Sequence, residues 1–178
     1  MNTANKLTML RVAMIPVFLT VLYIGFSYNY IAAIIIFIVA GITDIVDGYI
    51  ARSRGQVTDF GKLMDPLADK MLVLSAILWF VGQGSFPVWA ALVVHMREFM
   101  ITAMRMIGRG KGQVIAAGLL GKIKTVVAMV VLPFMFLPLE PCIKQWVDYT
   151  CVGAIVLTTV ISGVAYVIKN RGIMDWKT

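Results

Sequence analysis

A single bundle of six membrane-crossing α-helices, all-α and polytopic, is the fold class predicted by three features of the chain. Of its 178 residues 60% are hydrophobic and 14% charged, a balance too apolar for an ordinary soluble domain and long enough for several spans. Apolar runs near the roughly twenty residues that a bilayer core requires recur between short polar or glycine-bearing breaks. The cations also segregate, fourteen of the sixteen Lys and Arg falling toward one predicted membrane face.

The first helix, 8–26, rests on the charge-free run Val12 to Phe26 behind Lys6 and Arg11. This start resembles a secretory signal, but no small-residue cleavage site follows at Phe26-Ser27-Tyr28, so a retained helix is expected. The uncharged turn Ser27-Tyr28-Asn29-Tyr30 leads to a second helix, 30–53, and a polar, glycine-containing connection at 53–60 leads to a third, 60–82. Gly82-Gln83-Gly84-Ser85-Phe86-Pro87 introduces the fourth, 86–108, and a second polar connection at 108–118 introduces the fifth, 119–138. The sixth, 145–169, is charge-free from Tyr149 to Ile168. No linker or internal repeat divides the chain, so residues 1–178 are expected to form one domain.

Lys6, Arg11, Arg52, Arg54, Lys62, Lys70, Arg105, Arg109, Lys111, Lys122, Lys124, Lys169, Arg171 and Lys177 fall on one face, with Lys144 opposite and Arg97 about midway. Cytoplasmic flanks retain such charges, which predicts a plasma-membrane protein with both termini in the cytoplasm. The net charge of +7 fits topology, anionic lipid headgroups and phosphorylated substrates alike, and does not call for nucleic acid. Trp79, Trp89 and Trp146 near the outer boundary and Trp176 near the inner one read as interface anchors. Cys142 and Cys151 lack metal-ligand spacing and read as apolar residues.

Chemistry concentrates in the run DIVDGYIARSRGQVTDFGKLMDPLAD, which places Asp44, Asp47, Asp65 and Asp69 in the frame D-x-x-D-G-x-x-A-R, eight residues, then G-x-x-x-D-x-x-x-D. Separations of three and four residues put both members of each pair on one helix face. Acids within membrane helices cost roughly 2.5–3.5 kcal/mol each on insertion scales, so four together call for a compensating cation. No His or Cys accompanies them, which favours a hard ion, Mg²⁺ or Mn²⁺, and four carboxylates have room for two. Gly48 and Gly61 permit close approach of a ligand or the facing backbone, and Arg52, four residues after Gly48, is placed to grip phosphate. Asp59, in the connecting loop, reads as a solvated acid.

Asp44, Asp47, Gly48, Ala51, Arg52, Gly61, Asp65 and Asp69 occupy every fixed position of the signature of the CDP-alcohol phosphatidyltransferases, which the chain resembles over nearly its whole length. The resemblance implies a six-helix membrane enzyme, often a homodimer, that moves a phosphatidyl group from a CDP-linked lipid to an alcohol and releases CMP. It implies that Asp44, Asp47 and Asp65 ligate metal, and that Asp69 lies near the metals and acts as general base. Asp47, Gly48, Arg52 and Thr58 look like contacts to the CDP moiety, with Gly61 beside them. Asn5-Lys6-Leu7-Thr8-Met9-Leu10-Arg11 is similar to the family's N-x-L-T-x-x-R segment, which assigns Asn5, Thr8 and Arg11 to the nucleotide. Ala4 stands where a proline is usual.

Arg97-Glu98-Phe99, then Arg105, and Gly121-Lys122-Ile123-Lys124-Thr125 resemble segments of the phosphatidylglycerolphosphate synthase branch, whose acceptor is glycerol 3-phosphate. Arg97 and Arg105, eight residues apart, share a helix face and could hold a phosphate, with Lys122 and Lys124 completing the pocket. Glu98 reads as a partner for a neighbouring base, and His95, the only histidine, as packing. The signature is blind to the acceptor, which leaves inositol phosphate or serine as alternatives. A divalent-cation transporter, the reading from another class, would need polar residues to continue across the membrane, and the second and third helices are largely apolar beyond the acids.

Overall fold

The computed structural model describes residues 3–53, 59–110 and 118–173. They form six α-helices, α1 Thr3–Ile24, α2 Asn29–Ser53, α3 Asp59–Gly82, α4 Val88–Gly110, α5 Leu119–Met135 and α6 Pro141–Asn170, with a final 3-10 turn over Arg171–Ile173. No strand occurs among the described residues.

The helix ends follow local chemistry. Gly25, at φ 69°, closes α1 in the left-handed conformation that glycine adopts without strain. Gly84, at φ 72°, does the same work in the turn between α3 and α4, where the amides of Ser85 and Phe86 both donate to the Phe80 carbonyl. The fifth helix stops at Met135, short of the expected 138, because Pro138 disfavours helix in the residue before it. The sixth begins earlier than expected, at Pro141, where a ring without an N–H costs nothing in the first turn. Hydroxyls along the helices, among them Thr20, Ser75 and Thr150, donate to carbonyls one turn back, which satisfies them within their own helix.

α1 and α6 are long and apolar enough to cross a membrane by length and composition; α2 and α3 contain shorter apolar stretches, Asn29–Thr43 and Lys70–Gly82. The acids and bases that occupy the rest of α2 and α3 shorten those stretches, so the six spans expected above are matched by six helices rather than by six uninterrupted apolar runs.

Short connections make consecutive helices antiparallel neighbours. α1 packs on α2 and α3, α5 on α6, and α4 on α6. At the end away from the acidic run, Phe18, Phe37, Phe80 and Phe136 gather from α1, α2, α3 and the end of α5, with ring centroids 4.3 Å apart for Phe80 and Phe136 and 5.8 Å for Phe18 and Phe136. Leu22, Ala33, Leu72, Ile77 and Leu132 complete this core. Trp89 and Trp146 are exposed, as anchors would be, whereas Trp79 is partly covered and meets the Tyr23 ring edge-on at 5.0 Å. Trp176 lies outside the described residues. Both cysteines are free thiols, Cys142 exposed and Cys151 buried.

Candidate active site

The acidic signature divides between two adjoining helices. Asp44, Asp47, Gly48, Ala51 and Arg52 lie in the C-terminal half of α2, and Gly61, Asp65 and Asp69 in the N-terminal half of α3. α2 and α3 touch, and the connection between them is five residues long, so both motif halves stand at one end of the bundle. Helical spacing aligns Asp44 with Asp47 and Asp65 with Asp69. The side chains of these residues and of Asn5 lie outside those described, as does Thr58 altogether. Among the described residues no three His, Cys, Asp or Glu gather as metal ligands.

α1 returns to the same end, since its N-terminal half runs level with the acid-bearing half of α2. Thr8 and Arg11 are there, each 1% exposed and each engaged with the surrounding structure. An arginine so enclosed is not a solvated topogenic charge; it faces the interior at the level of the acids.

The α3 and α4 register is fixed by a polar contact, in which Lys70 Nζ donates to Thr102 Oγ1 while that hydroxyl donates to the Glu98 carbonyl at 2.8 Å. The segment carrying Asp69 thus lies beside the segment carrying Glu98 and Arg105. Glu98 does pair with its neighbour Arg97, and the same oxygen reaches further: Oε1 accepts from both Arg97 Nη1 and Lys124 Nζ, each at 2.8 Å. Arg97 Nη2 reaches on to Ser162 Oγ of α6 at 3.1 Å. The three ionised side chains are only 8–21% exposed, and together they tie α4 to α5 and α6.

Two glycines make room for Arg97. A Cβ at Gly163 would stand 3.0 Å from Arg97 Cγ, and one at Gly121 3.6 Å from Nη2. One turn or two toward the helix end, Arg105 Nε donates to the Tyr166 hydroxyl at 3.3 Å, and its guanidinium carbon lies 5.6 Å from the Tyr166 ring centre, within cation–π range. The structure therefore brings Arg97 and Lys124 together, sets Arg105 on the same α4 to α6 side, and leaves Lys122 exposed on α5. Sequence spacing had no means of finding Tyr166, Ser162 or the bridging role of Glu98, because each contact joins helices far apart in the chain.

Lys70, Glu98 and Lys124 also border a cavity of about 120 Å³ between α3, α4 and α5, whose remaining walls, including Val94 and Ala128, are mostly apolar. His95 lines it too, but its Nδ1 donates to the Ala91 carbonyl at 2.6 Å within its own helix, consistent with a packing role. At the opposite end of the bundle the expected lone outer cation, Lys144, is paired with Asp148 one turn on.

A family model described as CDP-alcohol phosphatidyltransferase matches residues 1–166. The chain is 39% identical over 184 residues to the CDP-diacylglycerol–glycerol-3-phosphate 3-phosphatidyltransferase of Bacillus subtilis (strain 168), covering 95% of each chain. It is 39% identical over 171 residues to a probable phosphatidylglycerophosphate synthase of Mycobacterium tuberculosis (strain ATCC 25618 / H37Rv), covering 94% of this chain and 81% of that one. A third relative, the CDP-diacylglycerol–glycerol-3-phosphate 3-phosphatidyltransferase of Escherichia coli (strain K12), is 36% identical over 166 residues, 90% of this chain and 88% of its own.

Proposed function

The chain belongs to the CDP-alcohol phosphatidyltransferase family, and from that premise we propose that it transfers the phosphatidyl group of CDP-diacylglycerol to glycerol 3-phosphate, giving phosphatidylglycerol phosphate and CMP. The observation that carries this reading is the α3 to α4 register set by Lys70 and Thr102, which puts the helix turn bearing Asp69 beside the α4 segment whose Arg97 and Arg105 can receive a second phosphate. An acceptor with its own phosphate is what such a pairing of acids and bases suits.

In this reading Asp44, Asp47, Asp65 and Asp69 hold divalent cations, two Mg²⁺ or Mn²⁺ ions, and the oxygen-only donor set fits hard ions of that kind. Bound there, the ions would neutralise phosphate charge and acidify nearby oxygen. Asn5, Thr8, Arg11, Asp47, Gly48, Arg52, Thr58 and Gly61 hold the CDP-lipid. Arg97, Arg105, Lys122 and Lys124 hold the acceptor phosphate, Lys122 closing on it from the exposed side of α5. Asp69 removes the proton of the acceptor hydroxyl, whose oxygen forms a bond to the β-phosphorus. The bond from that phosphorus to the bridging oxygen breaks, and CMP leaves with the electron pair.

Six spans in one domain, both termini and the site on the cytoplasmic side, and a homodimer in the membrane complete the proposal. What supports this orientation is the bias of Lys and Arg, fourteen of sixteen toward the end that carries the acids.

The deciding assay supplies CDP-diacylglycerol with glycerol 3-phosphate, inositol phosphate or serine in turn and follows CMP release with Mg²⁺ or Mn²⁺. Release is expected with glycerol 3-phosphate; release with serine alone would overturn the acceptor assignment. Arg105→Ala is expected to raise the KM for glycerol 3-phosphate by about 10- to 100-fold, the loss of one charge-assisted hydrogen bond. The KM for CDP-diacylglycerol should stay within about twofold, and equal rises in both would remove Arg105 from the acceptor pocket.

A further inference from the structure

We propose that Glu98 is a positioning residue for the acceptor phosphate, acting through Arg97 and Lys124; the inference rests on the phosphatidyl-transfer reading above and adds a residue to it.

Three observations point there. Glu98 Oε1 is shared by Arg97 Nη1 and Lys124 Nζ at equal distances of 2.8 Å, so a single atom sets where both cations stand. Two like charges so close separate unless an anion lies between them, and in a largely apolar interior water is not there to screen them. One carboxylate against two cations also leaves the group with a net positive charge, so it can still attract an anion. Finally, the Glu98 backbone belongs to the same polar chain as the acidic end of the bundle, through the Thr102 hydroxyl and Lys70, the residue after Asp69. The geometry therefore fixes the cations relative to the helix that carries the proposed base.

Lys124 enters from α5 on a flexible stem, and Arg97 occupies a slot bounded by Gly163 and Gly121. Without Glu98 nothing described holds the Lys124 ammonium in place, and each acceptor molecule would have to gather the two cations itself. That cost falls on binding of the phosphorylated acceptor, and leaves both the CDP-lipid and the chemical step largely untouched.

The test is steady-state CMP release by the full-length protein, varying glycerol 3-phosphate and CDP-diacylglycerol separately. Glu98→Gln keeps the shape and removes the charge. It is expected to raise the KM for glycerol 3-phosphate about tenfold or more, with kcat within about threefold and the KM for CDP-diacylglycerol within about twofold. Glu98→Asp, charged but one carbon shorter, should fall between the wild type and Glu98→Gln; if the latter does not fold, the aspartate variant carries the test. Combined with Lys124→Met, Glu98→Gln should add little to the single Lys124 effect.

A lower KM for glycerol 3-phosphate in Glu98→Gln would overturn the proposal and make Glu98 a competitor for the cations. Unchanged KM values with a lowered unfolding temperature would overturn it in favour of a strut between helices. If Lys124→Met and Arg105→Ala raise the acceptor KM while the Glu98 variants do not, this inference fails alone. If none of them moves it, the acceptor pocket itself is misplaced.

Discussion

Asp69→Asn is expected to lower the rate of CMP release by at least about 10²-fold, the range that a positioned general base contributes. The amide cannot take the acceptor's proton, and it is nearly the size of the carboxylate it replaces. Loss should therefore appear in kcat, with the unfolding temperature close to that of the wild type and much of the nucleotide binding retained. Asp69 sits one residue before Lys70, whose contact with Thr102 holds that stretch of α3 against α4. The substitution leaves this register intact, which makes the experiment a test of chemistry rather than of packing. Near-normal turnover in the folded variant would exclude Asp69 as the base.

Removal of divalent ions should have an effect of comparable size. Carboxylates three or four residues apart on a helix have Cβ atoms about 5–6 Å from each other. At that separation two unit charges repel by about 3 kcal/mol at an effective dielectric of 20, and the signature supplies two such pairs. With a chelator, CMP release is expected to fall to background and to return when Mg²⁺ or Mn²⁺ is added in excess. The unfolding temperature should fall with it, since a bound ion at about a hundredfold its Kd stabilises the folded state by about 2.7 kcal/mol. Full turnover in the presence of chelator would dismiss the metal assignment.

The six helices were legible because apolar length and polar breaks are local properties. Two of their limits shifted where prolines decide, at Pro138 beyond α5 and at Pro141 opening α6, while α1 starts at Thr3, five residues before the expected 8, because polar residues can extend a helix beyond its apolar run. The acidic signature was equally legible, since spacings of three and four residues mean the same thing in any helix. The basic side of the site was read only in outline. Arg97 stood out as a charge too deep for topology, but what holds it, a carboxylate shared with Lys124 and a hydroxyl from α6, depends on how α4, α5 and α6 meet. No periodicity within one helix reports that meeting. Sequence alone makes Glu98 a partner for the base beside it and gives no sign of Tyr166 under the Arg105 guanidinium. Arg11 carried two readings by sequence, a flanking cation and a contact to the nucleotide, and its burial, which no local pattern reports, speaks against the first.

The four phenylalanines that meet at the far end of the bundle have a consequence for traffic through it. Packed ring on ring and almost fully buried, they offer no polar group that could line an aqueous path at that end. An ion entering from the acidic end would meet aromatic rings there in place of oxygens, which favours an enclosed reaction site over a path that conducts.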